Sequence, residues 1–189
     1  MSEREAPKYK QRKPPRPLDP GRLEELAVAY VGRFATTRAK LATYLRRKIQ
    51  EKGWDGASPP DIGALVERLA GLGYVDDAAF ALSKARSLGA RGYGERRVDM
   101  ALRQAGVGES DGAPAKEEAS GGALAAAVRY AQRRRLGPFA LQPPDPKGRD
   151  RALAGMIRAG HGFDLARRLV ELAPDPDATA DTVIERLHP

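Results

Sequence analysis

The sequence lacks cysteine entirely, so the chain can form neither a disulfide bond nor a thiolate metal site. It has only two histidines, His161 and His188, and neither has further ligands nearby at the spacing of a metal site. Aromatic residues make up only 6% of the chain and β-branched residues are sparse, which disfavours a fold rich in β-strands. Because Ala, Leu, Arg and Glu are abundant, the composition predicts an all-α protein.

Long hydrophobic segments are also missing. The longest uninterrupted apolar run is about Ala123–Val128, whereas a membrane-spanning helix needs roughly 20 such residues. The charged N-terminus has no apolar segment behind it, so we expect no secretory signal and no membrane association. Together with the missing cysteine, this predicts a cytoplasmic protein.

No catalytic constellation is recognisable in the sequence. The adjacent carboxylates of Asp76 and Asp77 suggest acid–base or metal chemistry, but neighbouring residues on a helix point about 100° apart and do not converge. The structural alternative is an Asp that caps a helix, followed by a second Asp in the first turn. We therefore expect no enzymatic activity, no metal and no cofactor.

The chain carries an excess of positive charge. Its formal net charge is +8 and its pI is about 9.9, a balance that favours a polyanionic partner, most often nucleic acid. A general preference for Arg would explain the charge without any partner. The distribution of the charge along the chain favours the first explanation.

Three glycines recur at nearly equal distances. Gly53, Gly106 and Gly160 are separated by 53 and 54 residues, and each closes a basic segment with apolar residues at helical spacing. Such a period is typical of tandem copies of a small helical unit. Because one unit is too small to be stable alone, we expect the units to stack and bury a shared core. The predicted architecture is three tandem three-helix repeats in an elongated, curved body.

This period divides the chain into five segments. Residues 1–20 hold five prolines and more Lys and Arg than acids, and we predict a disordered basic arm that adds nothing to the core. Repeat 1 covers residues 21–73, repeat 2 covers 74–120 and repeat 3 covers 121–176. Prolines at 174 and 176 are expected to end the fold, which leaves 177–189 as a C-terminal tail with at most a short helix.

Apolar periodicity and capping signals predict the individual helices. The first helix places Phe34 on its apolar face, and Ser58 is the predicted cap of the third. Residues 108–122 are rich in Gly, Ala, Ser and acids and are predicted to be a loop or a weak helix.

The middle helix of every repeat is basic. Residues 33–53 carry seven Lys or Arg and one acid, and residues 84–103 and 147–168 each carry six and two. The usual explanation of such a run is a solvated helix face. A charge that recurs with the repeat instead favours a binding surface for a strand or a filament. The candidate binding residues are Arg38, Lys40, Arg46, Arg47, Lys48, Arg86, Arg91, Arg96, Arg97, Arg103, Arg129, Arg133, Arg134 and Arg135.

A fairly specific motif lies where the first repeat meets the second. It reads Gly73-Tyr74-Val75-Asp76-Asp77 with Phe80-Ala81, and Arg91-Gly92-Tyr93-Gly94 follows. We interpret this motif as architectural: Asp76 caps the helix that carries Phe80, and Tyr74 packs at the junction of the first two repeats. Together with the stretches Arg38–Trp54 and Leu102–Val107, the motif resembles the RecX family, well over roughly residues 28–107 and more weakly over 121–173.

The resemblance implies a modulator of the RecA recombinase. RecX proteins consist of nine helices in three tandem three-helix repeats and lodge in the helical groove of the RecA filament on single-stranded DNA, usually inhibiting ATP hydrolysis and strand exchange. The implied partners are the RecA filament and single- and double-stranded DNA, in DNA repair, recombination and the SOS response, and we expect a monomer. The alternative, which the charge alone supports, is a stand-alone DNA-binding or nucleoid-associated helical protein.

Overall fold

The computed structural model describes residues 16–188, which form ten α-helices. In chain order they are α1 (Pro20–Val31), α2 (Arg38–Lys52), α3 (Ile62–Gly71), α4 (Asp77–Ala90), α5 (Glu95–Gln104), α6 (Glu109–Gly121), α7 (Ala123–Arg134), α8 (Pro146–Arg158), α9 (Phe163–Glu171) and α10 (Ala180–Leu187). A short 3₁₀ helix, Gly137–Phe139, precedes α8. The only β-pairing within this range is an isolated bridge between Leu18 and Trp54, so the predicted all-α fold class is confirmed.

Unit 1 consists of α1, α2 and α3, and a side chain caps the start of each helix. Asp19, Thr37 and Asp61 each accept a hydrogen bond from the backbone N–H three residues further on. The prediction that Ser58 caps α3 was wrong. The Ser58 carbonyl instead accepts a hydrogen bond from the Trp54 indole at 2.8 Å, and the helix begins only after Asp61.

The end of the N-terminal arm belongs to unit 1. Leu18 is 2% exposed and lies in the core of this unit. Its N–H donates to the Gly53 carbonyl at 3.0 Å, and its carbonyl accepts from the Asp55 N–H at 2.8 Å. The prediction that residues 1–20 add nothing to the core is therefore wrong at Leu18, whose apolar side chain is anchored by two backbone hydrogen bonds. The rest of the predicted arm, residues 1–15, lies outside the described residues.

Two aromatic residues that were predicted to pack are exposed. Phe34 lies beyond the end of α1 and is 56% exposed, because the helix stops at Val31 and its apolar face does not extend further. Tyr74 is also 56% exposed, while Val75 is 3% exposed and packs in the core of unit 1. The chain leaves α3 through Gly73, with a φ of 79°, and after this turn Val75 rather than Tyr74 points inward.

Unit 2 consists of α4, α5 and α6, and α6 replaces the predicted loop at 108–122. The surfaces where α4 and α6 pack are built from very small residues: Ala81 and Ala85 of α4 and Gly112 and Ala115 of α6 are all buried. Small residues allow two helices to approach closely, but they leave no stripe of large apolar side chains in the sequence. The prediction was wrong because it relied on that stripe.

Unit 3 consists of α7, α8, α9 and α10, and α10 replaces the predicted C-terminal tail. Thr179 caps this helix, which packs against α7. Val183 is fully buried and Leu187 is 5% exposed. These two residues are four apart and therefore form one apolar face, so the fold does not end at the prolines before them.

Each unit has its own hydrophobic core. The cores contain Leu41 in unit 1, Val98 in unit 2 and Met156 in unit 3. The predicted shared core is therefore wrong. Among the side chains of residues 16–188, Tyr93 alone packs, partly buried, against the cores of both unit 2 and unit 3.

The middle helices of the three units stand end to end. Between units 1 and 2, the Thr37 hydroxyl at the start of α2 donates to the Ala105 carbonyl at the end of α5, at 2.6 Å. Between units 2 and 3, the Gly94 N–H at the start of α5 donates to the Ala159 carbonyl at the end of α8, at 3.0 Å. The carbonyls left unpaired at the end of one helix thus meet donors at the start of the next, and the helix dipoles align.

The glycine period of the sequence marks these helix ends. Gly53, Gly106 and Gly160 follow α2, α5 and α8 with φ values of 85°, 70° and 97°, a conformation that glycine adopts without strain. At the two junctions glycine is also required for space, since a Cβ at Gly106 would collide with Ala39 and one at Gly160 would lie 2.5 Å from the Arg97 nitrogen.

Candidate nucleic-acid interface

Three adjoining cavities form one groove along the end-to-end middle helices. Their volumes are about 960 Å³ between units 2 and 3, about 420 Å³ over α4 and α5, and about 410 Å³ between units 1 and 2. The first two cavities share Arg91, Tyr93 and Arg97, and the last two share Lys40. The groove therefore touches all three units.

We call this surface the basic groove. Its described lining includes eleven Lys or Arg side chains and no Asp or Glu. The cations are Lys40, Arg47, Lys84, Arg91, Arg97, Arg103, Arg133, Arg134, Arg135, Arg151 and Arg158.

The cavity between units 2 and 3 is the most basic part of the groove, with seven arginines in its wall. The guanidinium groups of Arg91 and Arg97 lie 5.3 Å and 5.7 Å from the centre of the Tyr93 ring, and Arg133 donates a hydrogen bond to the Arg91 carbonyl. Guanidinium groups bind phosphate oxygens through paired hydrogen bonds. A concave wall of them without carboxylates attracts a polyanion.

At the unit 1 end of the groove, cations lie beside aromatic rings. Lys40 Nζ is 4.6 Å from the centre of the Phe80 ring, and the Arg47 guanidinium is 5.8 Å from the centre of the Tyr44 ring. Phe80 is half-buried, so one face of α4 supports a groove cation as well as the fold. Such cation–π contacts hold long, flexible side chains near the groove wall.

Eight of the fourteen predicted binding residues line the basic groove. They are Lys40, Arg47, Arg91, Arg97, Arg103, Arg133, Arg134 and Arg135.

Arg38, by contrast, is engaged at the junction of units 1 and 2. Its side chain lies 3.6 Å from Glu67, 3.8 Å from Asp77 and 3.4 Å from Asp111. Three carboxylates of two units therefore surround one guanidinium, which ties the units together and does not face the groove.

The other five predicted residues also lie outside the groove lining. Lys48 pairs with Glu51 at 2.5 Å, and Arg86 pairs with Glu118 at 2.7 Å. The hydrogen bond from Arg86 lowers the pKa of the Glu118 carboxyl. The remaining three are Arg46, Arg96 and Arg129.

Three groove cations were missed by sequence reasoning: Lys84, Arg151 and Arg158. Arg151 and Arg158 are seven residues apart on α8, and Lys84 precedes Arg91 by the same interval. Residues seven apart share a helix face. This spacing within the basic runs was the available signal.

The two acids of the motif have different tasks. Asp76 accepts a hydrogen bond from the Ala79 N–H at 2.8 Å and caps α4, as predicted. Asp77 is 4% exposed and accepts the Arg38 N–H at 2.9 Å, at the start of α2. Asp77 thus caps a helix of the preceding unit and ties units 1 and 2 together.

His161 lies buried at the junction of units 2 and 3. It is 2% exposed, and its Nε2 is 3.1 Å from the Gly92 carbonyl. The ring stands edge-on to Tyr130. Burial lowers the pKa of His161.

Residues 16–188 contain no group of three His, Asp or Glu side chains placed to hold a metal ion. No helix of this part of the chain has the length and apolar character needed to cross a membrane.

Comparison with known protein sequences points to one set of relatives. A family model described as the second three-helix domain of RecX matches residues 76–112. The chain is 34% identical over 183 residues to the regulatory protein RecX of Myxococcus xanthus, which covers 88% of this chain and 95% of that one. It is 36% identical over 160 residues to the regulatory protein RecX of Thermobifida fusca, covering 79% and 77% of the two chains.

Two solved structures share the fold. A crystal structure of a regulatory protein RecX superposes with a TM-score of 0.60 at 20% identity, covering 79% of this chain and 70% of that chain. The crystal structure of RecX from Lactobacillus salivarius gives a TM-score of 0.61 at 15% identity, covering 88% and 95%.

Proposed function

Because the chain belongs to the RecX family of regulatory proteins, we propose that it binds the filament of RecA on single-stranded DNA and reduces ATP hydrolysis and strand exchange by that filament. The relatives are named regulatory proteins. We accordingly propose that this protein acts as a monomer in the cytoplasm, by binding and not by catalysing a reaction.

The basic groove is the observation that carries this proposal. It follows α2, α5 and α8, which have 15, 10 and 13 residues and together measure about 57 Å at 1.5 Å per residue. Cations spread over such a length suit an extended polyanion rather than a small anion. The backbone of the nucleic acid in a recombinase filament is a polyanion of this kind.

Charge reversal inside the groove tests the proposal. Arg134 and Arg158 line the groove and are exposed, so the double change Arg134→Glu and Arg158→Glu should leave the fold intact. We expect it to abolish most of the inhibition of recombinase ATP hydrolysis measured with substoichiometric protein. The matched control is Arg167→Glu, an exposed position on α9 outside the groove, which should inhibit as the wild type does.

The outcomes separate clearly. If the wild-type protein changes neither ATP hydrolysis nor strand exchange at equimolar ratio with the cognate recombinase, the proposal is wrong. If the groove variant unfolds at a much lower temperature than the control variant, the two arginines are structural.

A stand-alone DNA-binding protein is the second candidate, because the same groove would also accept free DNA. Such a protein would bind DNA without a recombinase and would lose affinity steeply as salt concentration rises. Tight binding that requires the assembled filament would exclude it.

A further inference from the structure

Three aromatic rings gather at the unit 1 end of the basic groove. The rings of Tyr30 and Tyr44 are stacked with centroids 4.2 Å apart and an interplanar angle of 20°. The Phe34 ring lies 5.3 Å from Tyr30 at 47°. We call these three residues the aromatic cluster.

The aromatic cluster is only partly accounted for by the core of unit 1. Tyr30 and Tyr44 pack against that core but keep accessible edges, since both line the cavity of about 410 Å³ between units 1 and 2. Phe34 is 56% exposed and extends the cluster beyond the folded core. Covering such an exposed ring with another flat ring is favourable, because it removes apolar surface from water.

Cations surround the same cavity. Its wall contains Lys40, Arg47 and Arg103, and no carboxylate among the described lining residues. Lys48 adds a further ammonium group 5.8 Å from the centre of the Tyr44 ring. Aromatic rings beside a phosphate-binding groove are the combination with which proteins hold single-stranded nucleic acid, since the rings stack on bases while the cations bind the backbone.

We propose that the aromatic cluster stacks on unpaired bases of single-stranded nucleic acid whose phosphates lie in the basic groove. The proposal rests on the proposed function in its use of the groove, and it adds a site that recognises the bases themselves. In a duplex the bases are already paired and stacked, so the cluster favours single strands over double strands. Each stacked base is worth about 5- to 150-fold in affinity.

A partner protein is the other class of molecule that an exposed aromatic surface can bind. The surroundings favour nucleic acid, because the cations of this cavity continue without an acidic residue into the neighbouring stretch of the groove. A purely apolar protein contact would leave these ammonium and guanidinium groups without counterions.

The experiment compares two single strands with the same number of phosphates, one of thymidylate and one of abasic sites, in titrations followed by fluorescence anisotropy. We expect the wild-type protein to bind the thymidylate strand at least about fivefold more tightly. Phe34→Ala and Tyr44→Leu should remove most of that preference. The dependence of affinity on salt should stay unchanged, because no charge has been altered.

Tyr74→Ala is the matched control. Tyr74 is 56% exposed, as Phe34 is, but it does not line the groove, so the preference for bases should persist in this variant. Thermal melting checks that the variants fold, and the exposure of Phe34 makes a folding defect from its truncation small.

Equal binding of both strands by the wild-type protein, or a preference that survives in Phe34→Ala, overturns the inference. If Phe34→Ala instead loses only inhibition of the recombinase while the base preference persists, the aromatic cluster contacts protein and the inference is wrong. Failure of the proposed function shows differently: the base preference is present, but ATP hydrolysis by the recombinase does not change.

Discussion

His161 couples the junction of units 2 and 3 to pH. Burial lowers its pKa below the ordinary value of 6.5, so the folded protein binds this proton less readily than the unfolded chain does. The contribution to stability is therefore complete above about pH 6.5 and declines as pH falls from there toward the folded-state pKa, by at most about 1.4 kcal/mol per pH unit.

Urea unfolding of the wild type and of His161→Gln, at about pH 7.5 and about pH 5.5, measures this contribution. The free energy of unfolding should fall more between these pH values in the wild type than in the variant. An identical decrease in both proteins would show that other groups cause it.

The acidic pair Asp76 and Asp77 shows how much one position along a helix matters. Both side chains accept a backbone N–H, but Asp76 caps its own helix, whereas Asp77 reaches α2 of the preceding unit. The two residues have the same side chain, and the direction in which each leaves α4 gives it a local or a connecting role.

At the scale of helices, α4 and α6 show that small residues can hold two elements together. Ala115 of α6 is completely buried among the alanines of α4. Ala115→Leu should overpack this contact and lower the free energy of unfolding by about 1–3 kcal/mol. Thermal or urea unfolding measures the change.

Glu117→Leu provides the control on the same helix, because Glu117 is exposed and has room for a larger side chain. It should leave stability within about 0.5 kcal/mol of the wild type. If Ala115→Leu were equally harmless, α4 and α6 would not be tightly packed.

At the scale of the whole molecule, separate cores allow separate opening. Unit 1 meets unit 2 through polar contacts, among them Thr37 with Ala105 and Asp77 with Arg38, while Tyr93 packs between the cores of units 2 and 3. We expect hydrogen exchange to show unit 1 opening independently of units 2 and 3.

Asp77→Ala should enhance this independence. It removes a buried carboxylate and leaves the Arg38 N–H without its partner, so exchange at the start of α2 should accelerate while α7 to α10 keep their protection. Asp76→Ala is the matched comparison: it costs about 0.5–2 kcal/mol through the cap of α4 alone. Uniform exchange across all three units in every variant would contradict this model of the junction.

The sequence by itself determined the features that depend on neighbours along the chain. The glycines at 53, 106 and 160, the cap at Asp76 and the three basic helices all follow from backbone conformation and helical period. These are local properties, because a helix end or an amphipathic face is defined within a few residues.

Only the tertiary structure decided which side chains meet. Arg38 and Arg134 look alike in the sequence, yet Arg38 is surrounded by three carboxylates and Arg134 faces the groove. The burial of Leu18 and of Ala115 likewise depends on distant segments. The physical reason is that charge neutralisation and close packing depend on groups brought together from far along the chain, and no local period records them.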